Sequence, residues 1–157
     1  MRGPYTVTFR EQSFTTANGD YDFFELTPAD DRPIMLIGLT IGVKSELQEA
    51  QEEQISYGIV SDNATTGNGT SATPRPVDSR DAAAGFTAET VASTPASLGT
   101  AIELMNDTFN VRSGLQLWLP EEYRFKVDQA DTMLCVRLWT ALADDATISG
   151  TAWVIEP

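Results

Sequence analysis

Apolar and polar residues alternate in short segments along almost the whole chain, and this two-residue period is what most constrains the fold. The opening segment YTVTF places Tyr5, Val7 and Phe9 on one face and threonines on the other. Residues 34–43, IMLIGLTIGV, are apolar enough for a central strand, and QISYGIVS resumes the alternation. Segments of this length and period are typical of strands in antiparallel sheets.

Turn-forming residues separate these segments, including Asn18-Gly19, Ser113-Gly114 and Asp144-Asp145. About eight or nine short strands result, and the only candidate helix is a short acidic one in KSELQEAQEEQ, residues 44–54. The pattern predicts an all-β fold in which residues 1–157 form a single antiparallel β-sandwich domain, jelly-roll-like in its strand order. An up-and-down barrel is the alternative.

A long polar stretch at about residues 61–98 interrupts the pattern, with almost no residue that could enter a core before Phe86. We expect a long loop or arm here, because prolines stiffen the segment and glycines turn it. Its sparse apolar residues could pin it to a surface, and we expect that surface to belong to a neighbouring subunit. The candidate partner-binding residues all lie in this arm: Pro74, Arg75, Pro76, Phe86, Val91 and Leu98.

The chain is strongly acidic, with 10 basic and 23 acidic residues and a net charge of -13. Such a charge repels phosphate backbones and anionic membrane surfaces, so we expect neither nucleic acid nor a membrane as a partner. No window approaches the ~20 apolar residues of a membrane span, and the first residues lack a secretory signal pattern. We therefore expect synthesis in a host cytoplasm.

Little in the sequence points to catalysis. The chain contains no histidine, which excludes Ser-His, Cys-His and histidine-metal sites, and its single cysteine, Cys135, lies in an apolar strand and is expected to be a buried thiol. We expect no catalytic residues, no cofactor and no dedicated metal site. The enzymatic alternative is a glycosidase that uses two carboxyl groups across a cleft. Its candidate acids lie near strand ends: Glu25, Glu103, Glu121, Glu122 and Asp131.

Two kinds of binding site stay open. Pairs of loop aspartates could supply oxygen ligands to Ca²⁺, although none follows a known calcium-loop spacing. These pairs are Asp20 with Asp22, Asp30 with Asp31, and Asp144 with Asp145. Separately, an exposed Trp118 could stack on a sugar ring, whereas alternation predicts that Trp139 and Trp153 are buried. The functional alternative is thus a carbohydrate-binding β-sandwich or a receptor-binding tail component.

Several phrases together resemble a group of small virion proteins of tailed bacteriophages. They are YTVTF, FFELTPADDRPIMLIGLTIG, TTGNGTSATPRPVDSRDAAAGFTAE, DTFNVRSGLQLWLPEEYRF and TISGTAWVIEP. Proteins of this group are head decoration or minor capsid components with a β-sandwich of jelly-roll type. The resemblance implies a non-enzymatic homo-oligomer, expected to be a trimer, that is located in the virion and binds the major capsid protein or another virion protein. It carries no residue-level site motif.

Overall fold

Strands in two antiparallel sheets dominate the structure, a computed structural model that describes residues 3–44, 53–97, 99–128 and 133–157. The described residues form twelve strands, one short 3₁₀ helix over Glu121–Tyr123 and no α-helix. In chain order the strands are β1 (Tyr5–Phe14), β2 (Tyr21–Thr27), β3 (Ile34–Val43), β4 (Gln54–Asn63), β5 (Thr70–Ala72), β6 (Arg75–Pro76), β7 (Thr87–Ala92), β8 (Ile102–Asn110), β9 (Leu115–Trp118), β10 (Phe125–Val127), β11 (Met133–Leu138) and β12 (Ala146–Ile155). Within these ranges no helix is long and apolar enough to cross a membrane.

The first sheet has the order β6-β1-β12-β3, and β9 and β10 both pair with the free side of β3. The register sets Leu39 opposite Leu117 and Leu36 opposite Phe125, so β9 and β10 lie end to end along one neighbour. The second sheet has the order β5-β7-β2-β11-β4-β8. One buried cluster draws side chains from both sheets, which gives a sandwich-like arrangement of two sheets over a shared core.

Aromatic rings fill the middle of this core. The Phe9 ring lies 5.2 Å from Phe24, and the Phe14 ring lies 5.3 Å from Phe23, between ring centroids. A Cβ atom at Gly150, which is opposite Phe9 in the register, would come within 2.8 Å of the Phe9 ring. Glycine at this position therefore lets a large ring lie against the sheet.

The all-β prediction is confirmed, together with the antiparallel arrangement of two sheets. The described strands number twelve instead of the expected eight or nine, partly because the edge beside β3 is split into β9 and β10. The candidate helix at 44–54 falls mostly on residues 45–52, which lie outside the described residues.

The segment at 61–98 differs from the long loop that we expected. Strand β4 continues to Asn63, and the segment contains β5, β6 and β7. Strand β7 buries only Ala88, Thr90 and Ala92, side chains too small or too polar to give a clear strand signal. Strands β5 and β7 extend the second sheet beyond β2, and β6 extends the first sheet beyond β1. The segment at 61–98, which we call the excursion, thus builds one side of its own domain.

Candidate functional site

Two segments of the excursion cross the second sheet. Strand β4 lies on one side of β11 and β2, whereas β5 and β7 lie on the other, so residues 64–69 must cross outward and residues 93–97 must cross back. The two segments pair with each other: Thr65 and Ser97 exchange backbone hydrogen bonds of 2.9 Å in both directions, and Asn68 N donates to Thr94 O at 3.1 Å. We call these two segments the strap.

An irregularity in β2 places two acids beneath the strap. In the pairing with β11, Phe24 is opposite Val136 but Asp22 is opposite Arg137, so β2 carries one extra residue at this point. Phe23 and Phe24 are both fully buried in the core. Such a bulge re-aims side chains, and here it brings Asp22 and Glu25 to the outer face although two residues separate them.

A buried ion pair joins β2, β11 and the strap. Arg137 donates from Nε to Asp22 Oδ1 at 2.6 Å and from Nη2 to Asp22 Oδ2 at 3.1 Å. The backbone of Ala96 completes the set: its N–H donates to Asp22 Oδ2 at 2.7 Å and its carbonyl accepts from Arg137 Nη2 at 2.9 Å. The Asp22 side chain is fully buried. The ion pair therefore provides hydrogen-bond partners for the strap backbone at Ala96, and the same backbone groups provide partners for the ion pair.

Glu25 holds the other crossing segment. Gly67 N–H donates to both carboxyl oxygens of Glu25, at 2.9 and 3.2 Å. A Cβ atom at Gly67 would lie 2.0 Å from Thr94 O, so no larger residue fits there. Burial raises the pKa of Glu25 to about 8, and hydrogen bonding with Asp22 and the charges of Asp22 and Glu89 contribute in the same direction. Glu25 is therefore largely protonated at neutral pH.

A raised carboxyl pKa, as in Glu25, is common in catalytic sites, but here a substrate cannot reach the acids beneath the strap. Glu25 is 1% exposed and Asp22 is fully buried, because the strap covers both. Cys135 is also fully buried, as predicted, and burial raises the pKa of its thiol, so a reactive thiolate is disfavoured. Of the other candidate acids, Glu103, Glu121 and Glu122 are exposed, and Asp131 lies outside the described residues. The buried acids have structural partners.

The aspartates considered as Ca²⁺ ligands differ in what their side chains contact. Asp22 is committed to Arg137 and Ala96, and Asp145 Oδ1 accepts a hydrogen bond from Thr16 N at 2.8 Å. Asp30 and Asp31 are exposed in the turn after β2. In the part of the chain that the structure describes, no group of three or more His, Cys, Asp or Glu side chains is arranged to hold a metal ion.

Four of the six predicted partner-binding residues lie on the side of the domain that the excursion builds. Pro74, Arg75 and Pro76 lie at and before β6, with Arg75 exposed and both prolines half-buried. Val91 is half-buried with a φ of 56°. Arg75 and Val91 line one groove of about 380 Å³. Leu98 lies outside the described residues.

Phe86 has a different place from the one expected. It is 2% exposed and packs edge-on against Tyr5, with ring centroids 5.9 Å apart. Its N–H and that of Gly85 both donate to Glu156 Oε1, at 2.9 and 2.7 Å. Phe86 therefore serves the core of its own domain, in place of the neighbour contact expected from the sequence.

Tryptophans define the outer face of the first sheet. Trp118 is 56% exposed, and Trp153 is half-buried on the same face, which corrects the expectation that alternation buries it. The buried residues on either side of Trp153 in β12 are instead the smaller Ala152 and Val154. Trp139 is also only half-buried, and its Nε1–H donates to Asn106 Oδ1 at 2.7 Å.

Comparisons with models of known protein families, with curated proteins and with solved structures gave no match.

The first prediction concerns the ion pair beneath the strap. Asp22→Ala leaves Arg137 and the Ala96 N–H without their partner, and we expect it to lower the free energy of unfolding by about 3–5 kcal/mol. Urea denaturation at pH 7 measures this loss. Asp78→Ala is the matched control, because it removes an ion pair with Arg80 that is exposed, and little change is expected. Equal stability of the two variants would contradict the role given to Asp22.

The second prediction concerns pH. The folded pKa of Glu25 lies above its ordinary value of 4.5, so the native state holds a proton that the unfolded chain releases between about pH 4.5 and 8. This contribution to stability is full below pH 4.5 and is lost as the pH rises through 8, with a slope of up to about 1.4 kcal/mol per pH unit. Glu25→Gln should flatten the decline.

Chemical denaturation at several pH values between 5 and 9 measures this slope in both proteins. Glu11→Gln serves as the control, because the hydrogen bond and charge of Lys44 lower the pKa of Glu11 and its titration lies below this window. A wild-type stability that stays level or rises between pH 5.5 and 8, with the same profile in Glu25→Gln, would contradict a protonated Glu25.

Proposed function

We propose that this protein is a non-enzymatic structural protein of a bacteriophage virion, a head decoration or minor capsid protein that binds and stabilises the capsid shell. The observation that carries the proposal is the order of the strands in the two sheets. Leaving out the additions β5, β6 and β7, one sheet reads β1-β12-β3-β9/β10 and the other reads β2-β11-β4-β8.

This order supports a jelly-roll-like fold. Each early strand lies beside a late one, β1 beside β12 and β2 beside β11, as two interlocked Greek keys require. Strands β4 and β8 then pair in one sheet, and the chain crosses to the other sheet at every remaining connection except that between β9 and β10, which both pair with β3. Jelly rolls are common in viral capsid and lectin domains. Fold alone does not determine function, which depends also on the interior and the surfaces of the domain.

The polar interior of the domain favours a structural role. The buried acids and Arg137 close a hydrogen-bond set that holds the strap, and Cys135 is shielded from solvent. A catalytic carboxyl group must reach a substrate, whereas Glu25 and Asp22 face the backbone of the strap. Rigid attachment of a long polar excursion suits a subunit that presents a fixed outline to its neighbours.

The assembly surface that we favour is the edge at β8. This nine-residue strand pairs on one side with β4, and among the described strands none pairs with its other side. Its side chains include Ile102, 46% exposed, and Leu104, 37% exposed. An unpaired edge strand with exposed apolar side chains is prone to association, so proteins normally cover or protect such an edge. We propose that a second copy of the chain covers β8 in a homo-oligomer.

A trimer is the stoichiometry that we propose. A three-fold ring sets one surface of a subunit against a different surface of the next, so β8 would meet a distinct patch on its neighbour. The exposed turn near Pro74, Arg75 and Pro76, with Val77 60% exposed, lies at the opposite side of the domain and is proposed to contact the major capsid protein or another virion protein. The net charge of -13 suits a basic face on that partner.

The third prediction tests this assembly. Size-exclusion chromatography with light scattering should give a discrete multiple of the chain mass for the wild type. The double change Ile102→Lys and Leu104→Lys should give a monomer with an unchanged β circular dichroism spectrum, because two charges on the edge oppose strand association. Thr66→Lys, at an exposed strap position, should keep the oligomer. A wild-type monomer at every salt concentration would contradict the proposed homo-oligomer.

A further inference from the structure

The outer face of the first sheet carries a tryptophan pair that the assembly proposal does not use. In the register, Gly38 of β3 lies opposite both Trp118 of β9 and Trp153 of β12. The two strands that flank β3 are about 10 Å apart, yet the two indole centroids are only 4.7 Å apart. The rings come together because Gly38 leaves the strand between them without a side chain.

Gly38 is required for this arrangement. A Cβ atom there would lie 2.4 Å from Cε3 and Cζ3 of Trp118, so the six-membered part of the indole rests over the glycine. Trp118 nonetheless keeps 56% of its surface exposed. The sheet therefore holds a large apolar ring in a defined position at the surface, and the described residues leave more than half of that ring exposed.

A row of uncharged polar side chains runs beside the tryptophans. This row lies two residues along each strand from the tryptophans, a distance of about 7 Å. The register aligns its members across four strands: Gln116, Thr40, Thr151 and Thr8. Each of these side chains is exposed or half-buried. Threonine hydroxyl and glutamine amide groups offer donors and acceptors together. Thr40 and Gln116 also border a groove of about 330 Å³, whose lining further includes Ser113 and Arg112.

The tryptophan row and the polar row beside it carry no charged side chain, and this limits the chemical class of ligand that they fit. The aligned positions Trp118, Gly38, Trp153, Thr6, Gln116, Thr40, Thr151 and Thr8 include no acidic or basic residue, in a chain with 33 charged side chains. A protein partner typically meets aromatic anchors within a charged or polar rim. A pyranose ring instead presents one face of C–H groups, which packs on an indole, and a rim of neutral hydroxyl groups that need both donors and acceptors.

We infer that the outer face of the first sheet is a carbohydrate-binding site for a neutral glycan. One sugar ring stacks on Trp118 with Trp153 supporting it from the side, and its hydroxyl groups hydrogen-bond with Thr40, Thr151 and Gln116. The groove beside Gln116 gives room for a second sugar unit. The inference is independent of virion assembly, because the β8 edge belongs to the other sheet.

The fourth prediction tests this site with soluble neutral oligosaccharides of glucose, xylose, mannose and N-acetylglucosamine, titrated into the full-length protein by calorimetry. At least one should bind saturably and change the tryptophan fluorescence. Trp118→Ala should weaken binding by about tenfold or more, and Trp118→Phe should restore part of it. Gly38→Ala should also weaken binding, because the added Cβ atom displaces the Trp118 ring without removing it.

Trp139→Phe is the matched control, since this tryptophan contacts Asn106 of the second sheet and should leave binding unchanged. Circular dichroism checks that each variant is folded. No binding of any oligosaccharide by the wild type, or equal binding by Trp118→Ala, would overturn the inference. Loss of the oligomer in Trp118→Ala, with no sugar bound by the wild type, would also overturn it and assign this face to a protein contact.

Discussion

The bidentate pair between Arg137 and Asp22 is the interaction on which the outer half of the second sheet depends. A buried ion pair is stable only when its remaining hydrogen-bonding groups are satisfied. Here the backbone of Ala96 supplies a donor to Asp22 and an acceptor to Arg137. The same contacts fix the strap, which carries the chain from β4 to β5 and back from β7 to β8. A polar excursion thus folds without a large apolar face of its own.

Plain alternation made the strands with one buried face predictable, as in Tyr5, Val7 and Phe9. It failed where a bulge changes the facing of side chains, because a bulge depends on the partner strand: nothing local to DYDFFEL shows that Asp22 and Glu25 share a face. One available signal was an arginine in the apolar strand TMLCVRLW. A buried guanidinium needs a carboxylate, and DYDFFEL is similarly apolar around its acids.

The tryptophans illustrate a second limit of sequence patterns. Alternation in TAWVIE is clear, but it does not say which of the two sets faces the core. The larger residues Trp153 and Ile155 suggested burial, whereas the residues that β12 turns to the core here are Ala152 and Val154. The outer face is thereby left with an aromatic pair, and the β8 edge with exposed Ile102 and Leu104. Sugar binding is proposed at the first of these surfaces and self-association at the second, whereas the turn near Pro74, Arg75 and Pro76 is the proposed contact with another virion protein.

Hydrogen exchange at the strap amides tests most directly whether the excursion is part of the folded domain. The amides of Gly67 and Ala96 donate to buried carboxyl groups, so both should exchange as slowly as amides of the neighbouring strand β11. Exchange at the rate of an unstructured chain, with β11 still protected, would contradict the account. It would mean that the strap is a loose loop and that Asp22 and Glu25 are held by other means.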